Sequence, residues 1–388
     1  MINFTYHNPA KIIFGPGSEK ELLNLLKENN ASSVLMVYSG EFIRDLGIYS
    51  LAEDACKRLE ADFYADGRVE SNPSVELVRE LIELGKEKNV DFVLAVGGGS
   101  SIDTAKAIAL GIPYEGDVWD FFADGAVPEK VLPVGAITTL PASGSETSNA
   151  AIISNGEWKL GFEDNRIIPR FAIMNPEYTL GLPEFQTAAG VADILSHLLE
   201  RYFSPVDHTD VTDYLIEGAV RALLINGERV LADPKDLNAR SEIQWLASIA
   251  HNNLLDTGRI GDWGSHRIEH ELSAQYGITH GEGMAVVLPA WIRYMADIKP
   301  EKPAQLAERV FHVDGYDNSQ KQQALKLAEL LELFFKKLKL RTTLTELGIG
   351  TSHFRTMAER ATKKDTSPVG HYVPLDVSKI IEILNIAI

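Results

Sequence analysis

The stretch DFVLAVGGGSSIDTAK, residues 91–106, decides the fold of this 388-residue chain. Its apolar start predicts a buried β-strand, and the run TAKAIAL that follows the glycines predicts a helix. The three glycines at 97–99 allow close approach to the backbone, and Ser100 or Ser101 can cap the helix. A strand, a glycine turn and a helix N-terminus in this order can bind a pyrophosphate, although a plain turn is the structural alternative. The stretch is not a GxGxxG fingerprint and lacks the P-loop lysine, which disfavours an ATPase.

Strand and helix patterns alternate through the first 180 residues, which predicts a parallel sheet covered by helices on both faces. The further predicted strands include SVLMVY (33–38), DFYAD (62–66) and PVGAITT (133–139). After about Pro183 the strand pattern stops, and helical periodicity continues to the end of the chain. The predicted helices there are 185–203, 209–226, 238–256, 262–276, 282–296, 319–338 and 376–387. We therefore predict an α/β dinucleotide-binding domain over residues 1–182 and an all-helical domain over 183–388.

The composition excludes several classes of function. The chain has 55 Asp and Glu against 37 Lys and Arg, a formal charge of -18, and such a field repels nucleic acids and anionic membranes. The single cysteine, Cys56, can form neither an internal disulfide nor a multi-thiolate metal site, which fits a reducing cytoplasm. The start of the chain lacks the pattern of a signal peptide, and no apolar run approaches the ~18 residues of a membrane helix. We expect a soluble cytoplasmic protein.

A second motif follows the strand at 133–139. Thr138, Thr139 and Leu140 end this strand, and a loop with Ser143 comes next. Open α/β sheets bind ligands outside the carboxyl ends of their strands. Such a motif alone is more typical of an ordinary loop, but together with the glycine turn it indicates a ligand site.

The histidines are concentrated in the second half of the chain. Asp193 and His197 lie four residues apart on a predicted helix, His266 and His270 repeat this spacing, and His280 follows. One carboxylate and three imidazoles suit Fe(II) or Zn(II), and the residual positive charge of such a site can polarise a carbonyl oxygen. The spacing does not choose between His266 and His270 as a ligand. The remaining histidines are interpreted as structural: His7, His208, His251, His312, His353 and His371.

With these motifs the chain resembles the iron-containing (group III) alcohol dehydrogenases over essentially its whole length. The resemblance rests on GGGSSIDTAK (97–106), the loop 139–146, GVADILSHLLE (190–200) and the histidines that follow. The stretches FTYHNPAKIIFGPG, LPASGSET and DWGSHRIEHEL are most similar to the butanol dehydrogenase and NADPH-dependent aldehyde reductase branch. The resemblance implies a dehydroquinate-synthase-like fold, with an all-helical metal-binding domain after the dinucleotide-binding domain.

The resemblance also assigns roles to individual residues. It implies Asp193, His197, His266 and His280 as metal ligands, and it places His270 as a catalytic residue near the nicotinamide. The implied cofactor-binding residues are Ser39, Gly40, Asn72, Gly97, Gly98, Gly99, Ser100, Asp103, Thr138, Thr139, Leu140, Ser143 and Lys159.

The implied activity is that of a metal-dependent NAD(P)-linked alcohol dehydrogenase or aldehyde reductase for short-chain substrates such as butanol and butanal. The metal would polarise the substrate oxygen, the reduced nicotinamide would deliver hydride, and a proton would arrive through the ribose hydroxyl, His270 or water. Because Ser39 and Gly40 stand where an acidic residue would repel a 2′-phosphate, we favour NADP over NAD. Glu41 opposes this expectation, because its carboxylate could restore the preference for NAD.

Two alternatives remain open at the level of sequence. A lyase of the dehydroquinate synthase type would share the fold, the nicotinamide and the metal, but it needs more basic residues around the site than this chain offers. A non-catalytic nucleotide- and metal-binding protein would use the metal only to hold helices together. The resemblance further suggests a homodimer. It identifies neither the physiological substrate nor which metal, iron or zinc, is bound.

Overall fold

The computed structural model describes residues 1–388, which form two compact units. One unit spans His7–Leu182, and the other comprises Met1–Tyr6 and Pro183–Ile388. The first six residues thus group with the helical unit, whereas the predicted α/β domain includes them. No helix in the chain combines the length and the apolar character that a membrane span requires.

A six-stranded parallel sheet is the centre of the His7–Leu182 unit, as the alternating pattern predicts. Its strands are β1 (Lys11–Phe14), β2 (Ser33–Tyr38), β3 (Asp62–Asp66), β4 (Phe92–Gly97), β5 (Val134–Thr138) and β8 (Phe171–Met174), in the order β1-β8-β5-β4-β2-β3. A separate antiparallel hairpin consists of β6 (Ala150–Asn155) and β7 (Trp158–Glu163). The strands β2, β4 and β5 are buried along their whole length, because helices cover both faces of the sheet.

The helices of this unit bury the two faces of the sheet in two separate cores. They are α1 (Leu22–Glu28), α2 (Phe42–Asp45), α3 (Ile48–Arg58), α4 (Val75–Glu87), α5 (Gly99–Gly111) and α6 (Trp119–Ala123). Successive residues of β2 point to opposite faces, so that Leu35 packs in the core formed with α4 and α5, and Met36 in the core formed with α1 and α3. The helix α5 begins at Gly99, with Gly98 as its N-cap residue and no side-chain cap. The prediction that Ser100 or Ser101 caps this helix is therefore wrong, since both lie in its first turn.

The second unit contains only helices, as predicted. They are α7 (Glu184–Tyr202), α8 (Asp210–Ala232), α9 (Leu237–His251), α10 (Gly264–Tyr276), α11 (His280–Ile298), α12 (Glu301–Phe311), α13 (Gln320–Lys337), α14 (Phe354–Ala361) and α15 (Val377–Ile386). The sequence pattern did not reveal α12 and α14, which are short, and α12 carries Pro303 in its first turn. Apolar side chains from most of these helices share one continuous core, which fixes α7, α10 and α11 relative to one another.

Candidate functional site

The glycine turn between β4 and α5 leaves its backbone open to a ligand. Gly97 has a φ of 145°, a conformation that favours glycine, and a Cβ there would lie 3.3 Å from Oγ of Ser39. A Cβ on Gly98 would lie 3.3 Å from the Cβ of Leu140, so a side chain would close the approach to the turn. The structure therefore brings together residues that the sequence placed in three separate motifs, at 39, 97–98 and 140.

The first turn of α5 supplies backbone donors to the same place. No side chain caps this 13-residue helix, so the N–H groups of Gly99 and Ser100 have no partner within the helix. These groups and the positive end of the helix dipole suit a pyrophosphate. A Cβ on Gly99 would lie 3.1 Å from the Cβ of Ser143, which places the predicted Ser143 beside this helix end.

A buried polar pair holds the loop that carries Ser143. The carboxylate of Asp103 accepts hydrogen bonds from Oγ of Ser145 and, at 3.0 Å, from the backbone N–H of Ile152. One turn later, the fully buried Nζ of Lys106 donates to Oγ of Ser145 at 2.9 Å and to the backbone carbonyl of Ala150 at 2.7 Å. Burial raises the pKa of Asp103, although the positive charge of Lys106 acts in the opposite direction. Burial also lowers the pKa of Lys106 to about 8. Asp103 thus fixes the loop through its own side chain.

The other predicted cofactor residues lie at two places in this unit. Thr138 pairs in register with Gly97, and Thr139 donates its backbone N–H to the carbonyl of Gly97 at 3.0 Å. Asn72 and Lys159 both lie next to the hairpin strand β6. Ser154 of β6 donates its N–H at 2.8 Å to the carbonyl of the residue after Asn72, and it pairs across the hairpin with Lys159.

The segment after β2 bears on the choice of nicotinamide cofactor. Gly40 has a φ of 77°, and Glu41 stands at the start of α2. The carboxylate of Glu41 accepts a hydrogen bond from Nε of Arg44 at 3.0 Å, and the Arg44 guanidinium lies 3.7 Å above the ring centre of Tyr49. The negative charge that the sequence places next to Ser39 is therefore paired with a cation.

The predicted metal ligands come together in the helical unit. Ligand atoms of Asp193, His266 and His280 all lie within 4.8 Å of one another. Oδ1 of Asp193 is 3.4 Å from Nε2 of His280 and 3.3 Å from Nδ1 of His197, which lies one helical turn later on α7. The rings of His197 and His266 are 4.7 Å apart. Asp193 thus clusters with His266, whereas His270 groups with Glu269 and His280. The spacing could not make this distinction.

The donor set fits a divalent metal ion. The buried Nε2 of His266 has no hydrogen-bond partner, and leaving such an atom unsatisfied costs ~1–3 kcal/mol unless a ligand or metal engages it. Burial, helped by the neighbouring His251, His266 and Arg201, lowers the pKa of His197 well below its usual range. His197 is therefore neutral, which is the form of imidazole that binds metals.

Two buried glutamates orient these histidines, and the sequence analysis did not identify them. Glu200 lies 3.1 Å from Nδ1 of His266 and accepts the backbone N–H of His266 at 2.9 Å, and Glu269 contacts Nδ1 of His280. Burial works against the ionisation of Glu200, but hydrogen bonds from His266 and Ser265 outweigh it and lower the pKa of this carboxyl group. Glu200 follows Asp193 by two helical turns, so its position on the same face of α7 was a usable signal.

Three aromatic rings adjoin the ligand cluster. The ring of His270 is 5.5 Å from that of His280 and 6.3 Å from that of His266. The ring of Trp263 is 5.2 Å from that of His266. His251, which the sequence analysis interpreted as structural, lies 4.5 Å from the ring of His197. It belongs to a different helix, so no local spacing could reveal it.

The parallel sheet carries a glycine turn that suits a pyrophosphate, and the helical unit holds a carboxylate–histidine cluster. This combination defines the class of metal-dependent dehydrogenases that the sequence resembles. Comparison with known proteins gives the family. Residues 9–176 match the model of the iron-containing alcohol dehydrogenases, and residues 187–388 match the C-terminal model of the Fe-containing alcohol dehydrogenase family. The chain belongs to the iron-containing alcohol dehydrogenase family and is an oxidoreductase, as the motifs predicted.

Similar proteins match along their full length. The chain is 38% identical to NADH-dependent butanol dehydrogenase A of Clostridium acetobutylicum, with 99% of each chain covered. It is 33% identical to the NADPH-dependent aldehyde reductase YqhD of Escherichia coli, with 98% of this chain and 99% of the relative covered. The crystal structure of NADH-dependent butanol dehydrogenase A from Thermotoga maritima superimposes with a TM-score of 0.94 at 33% identity, covering 99% of this chain and 98% of that one. None of these three relatives is described as a lyase or as a non-catalytic protein.

Proposed function

We propose that this chain is a metal-dependent NAD(P)-linked alcohol dehydrogenase and aldehyde reductase for short-chain primary alcohols and aldehydes, butanol and butanal among them. The observation that carries the proposal is the convergence of Asp193, His197, His266 and His280 in one cluster, in which all but His280 are buried. The substrate class is supported by the names of the relatives, a butanol dehydrogenase and an aldehyde reductase.

In this proposal the four clustered side chains hold one divalent ion, Fe(II) or Zn(II). Bound there, the ion supplies Lewis acidity that polarises a carbonyl or alcohol oxygen. Glu200 and Glu269 hold the rings of His266 and His280, so that the nitrogens opposite Nδ1 remain available for coordination. Asp193 supplies the one anionic ligand of this set.

The glycine turn and the first turn of α5 are proposed to bind the pyrophosphate of the nicotinamide cofactor, whose reduced form supplies a hydride. Asp103 and Lys106 position the loop with Ser143 through their contacts with Ser145. A ring nitrogen of His270 is proposed to hold or relay the proton that the reduced oxygen receives, in competition with the ribose hydroxyl and water.

NADP is the proposed preferred cofactor, and NAD is the proposed second cofactor. Ser39 and Gly40 offer no carboxylate to a 2′-phosphate, and the carboxylate of Glu41, which would favour NAD, is paired with Arg44. The relatives include both NADH-dependent and NADPH-dependent enzymes, so membership of the family does not favour either cofactor. The support for NADP comes from the pairing of Glu41 with Arg44.

A cytoplasmic location and a homodimer are also proposed. The location is supported by the one cysteine, Cys56, which is buried and whose thiol pKa burial raises to about 11. The homodimer is supported by the resemblance alone. Size-exclusion chromatography with light scattering tests it, since a monomeric mass would refute it.

The test of the activity is butanal reduction. The purified enzyme, loaded with Fe(II) or with Zn(II), is given butanal with NADPH or NADH, and both cofactor oxidation and butanol formation are measured. The proposal expects equal amounts of butanol and oxidised cofactor, with a higher kcat/KM for NADPH. Formation of butanol with NADH alone would refute the cofactor preference, and formation of none would refute the activity.

A further inference from the structure

The helix α8 exposes large apolar side chains to solvent. Val211, Tyr214, Leu215 and Ile225 are 68%, 59%, 47% and 60% exposed. The opposite side of α8 packs in the apolar core of the helical unit, so the helix is apolar on two sides. A helix of this composition is normally buried on both sides, and a contiguous apolar patch on a surface marks an interaction site. The outer side of α8 therefore has the character of an interface.

The exposed side chains lie on one stripe along α8. Residues seven apart in a helix share a face, and Val211, Gly218 and Ile225 follow each other at this step. Tyr214 and Ala222 flank Gly218 at four residues on either side. At ~1.5 Å per residue, the stripe from Val211 to Ile225 is about 21 Å long. We call it the outer stripe, and it consists of Val211, Tyr214, Leu215, Gly218, Ala222 and Ile225.

The outer stripe is complementary in shape to a second copy of itself. When two α8 helices cross antiparallel at Gly218, residues at equal distances on opposite sides of Gly218 face each other. Val211 of one copy then faces Ile225 of the other, and Tyr214 faces Ala222, so that a large side chain meets a small one. Gly218 places no side chain at the crossing point, and a Cβ there would meet nothing within 4 Å in its own chain. The large side chains on either side of the crossing can therefore interlock.

The charges at the two ends of α8 favour the antiparallel arrangement. Asp207 and Asp210 are exposed at the N-terminal end, and Arg229 lies in the last turn. The Arg229 side chain is 46% exposed although it pairs with Asp236 at 2.9 Å. Arg229 and Asp207 are each eleven residues from Gly218, so the antiparallel pairing brings the cation of one copy to the acidic end of the other. A parallel pairing would bring like charges together.

We propose that α8 is an interface between two copies of this chain, which pack their outer stripes antiparallel about a twofold axis at Gly218. In such a contact the same patch of both subunits is used, as in most dimers of identical chains. No residue of the outer stripe belongs to the ligand cluster or the glycine turn. The inference goes beyond the proposed activity, and it rests on α8 and not on the resemblance that supports the homodimer.

The substitution Gly218→Cys tests the position of the axis. Two helices with axes ~9–10 Å apart leave about 4–5 Å between facing Cα atoms, which a disulfide can span. The only native cysteine, Cys56, is fully buried, so oxidation of the full chain reports on position 218. We expect a disulfide-linked dimer on a non-reducing gel, formed at least tenfold faster than in the control Glu329→Cys, an exposed position of α13. Equal rates in the two variants overturn the proposal.

The mass in solution is the second readout. Tyr214→Glu combined with Ile225→Glu places carboxylates in both halves of the contact, so light scattering should give half the wild-type mass at the same concentration. The control Leu333→Glu changes a 57% exposed leucine of α13 and should keep the wild-type mass. Circular dichroism checks that each variant is folded, and the Gly218→Cys crosslink decides the question if the double variant is not.

The outcomes separate this inference from the proposals above. A monomeric wild type overturns both the α8 contact and the homodimer. A dimer whose mass the double substitution leaves unchanged overturns the α8 contact alone, because the copies then meet through another surface. Neither the crosslink nor the mass depends on turnover, so failure of butanal reduction refutes the activity and leaves the α8 contact to be decided by these two measurements.

Discussion

The carboxylate of Glu200 lies 3.1 Å from Nδ1 of His266 and accepts the backbone N–H of the same residue at 2.9 Å. One glutamate thus fixes both the main chain and the ring of a proposed metal ligand. With Nδ1 engaged as a donor, the buried Nε2 of His266 has no hydrogen-bond partner and is available to a metal. The position of the proposed ligand His266 therefore depends on two helices, α7 with Glu200 and α10 with His266 itself.

Glu200→Gln should weaken metal binding by about 10- to 100-fold, because a neutral amide orients His266 less firmly and its NH2 group cannot accept the backbone N–H of Trp263, which Oε2 of Glu200 accepts at 2.6 Å. A competition titration against a chelator measures the affinity. The matched control is Glu228→Gln, an exposed glutamate of α8 paired with Lys337, which should bind metal as wild type does. Equal affinities in all three proteins would show that Glu200 does not support the site.

His266→Ala and His270→Ala should fail in different ways. His266→Ala removes a proposed ligand, so the purified protein should contain much less metal. His270→Ala should retain the metal but turn over butanal about 10²- to 10⁴-fold more slowly, the usual range for loss of a general acid. Elemental analysis and steady-state kinetics on the same preparations make the comparison, and the reverse pattern of metal loss would exchange the two assignments.

Gly281→Ala should destabilise the helical unit. A Cβ at this position would fall on the backbone carbonyl of Ala189 in α7, so α11 must move, and with it the adjacent His280. We expect a loss of ~1–3 kcal/mol in the free energy of unfolding, measured by urea denaturation, together with weaker metal binding.

Gly218→Ala is the control for this substitution. Gly218 is exposed in the middle of α8, and a Cβ there would meet nothing within 4 Å. Alanine should stabilise the protein by about 0.5–1 kcal/mol, because glycine loses more conformational entropy in a helix. If Gly281→Ala were equally harmless, the close packing of α11 against α7 would be refuted.

Lys106→Met should make the protein less stable, because it removes the donor of the hydrogen bonds to Oγ of Ser145 and the carbonyl of Ala150. The difference from wild type should also depend on pH. The pKa of Lys106 is about 8 in the folded protein against an ordinary 10.5. Below pH 8 the folded protein carries the full free-energy cost of burying this charge. Between pH 8 and 10.5 the folded protein loses the proton while the unfolded chain still holds it, so the stability of wild type rises with pH. Wild type should gain ~1–3 kcal/mol over the variant across this range. Urea denaturation at several pH values measures the difference, and the exposed Lys130→Met should show no such trend.

The parts of the protein that were predictable from sequence are those with local signals. The strand, glycine turn and helix around Gly97 follow each other directly, and Asp193 and His197 share one face of a helix. The error over the helix cap arose because hydroxyl residues are good caps in general, whereas here the extended backbone of Gly98 takes that position. The places of His251 and Glu269 beside the ligand histidines were missed because they depend on packing between residues that no periodicity relates.

The most direct test of the account is to remove the metal with a chelator and then measure butanal-dependent oxidation of NADPH before and after addition of Fe(II) or Zn(II). We expect activity to be lost with the metal and to return on reconstitution in wild type, but not in His266→Ala. Undiminished oxidation of NADPH by the metal-free protein would contradict it.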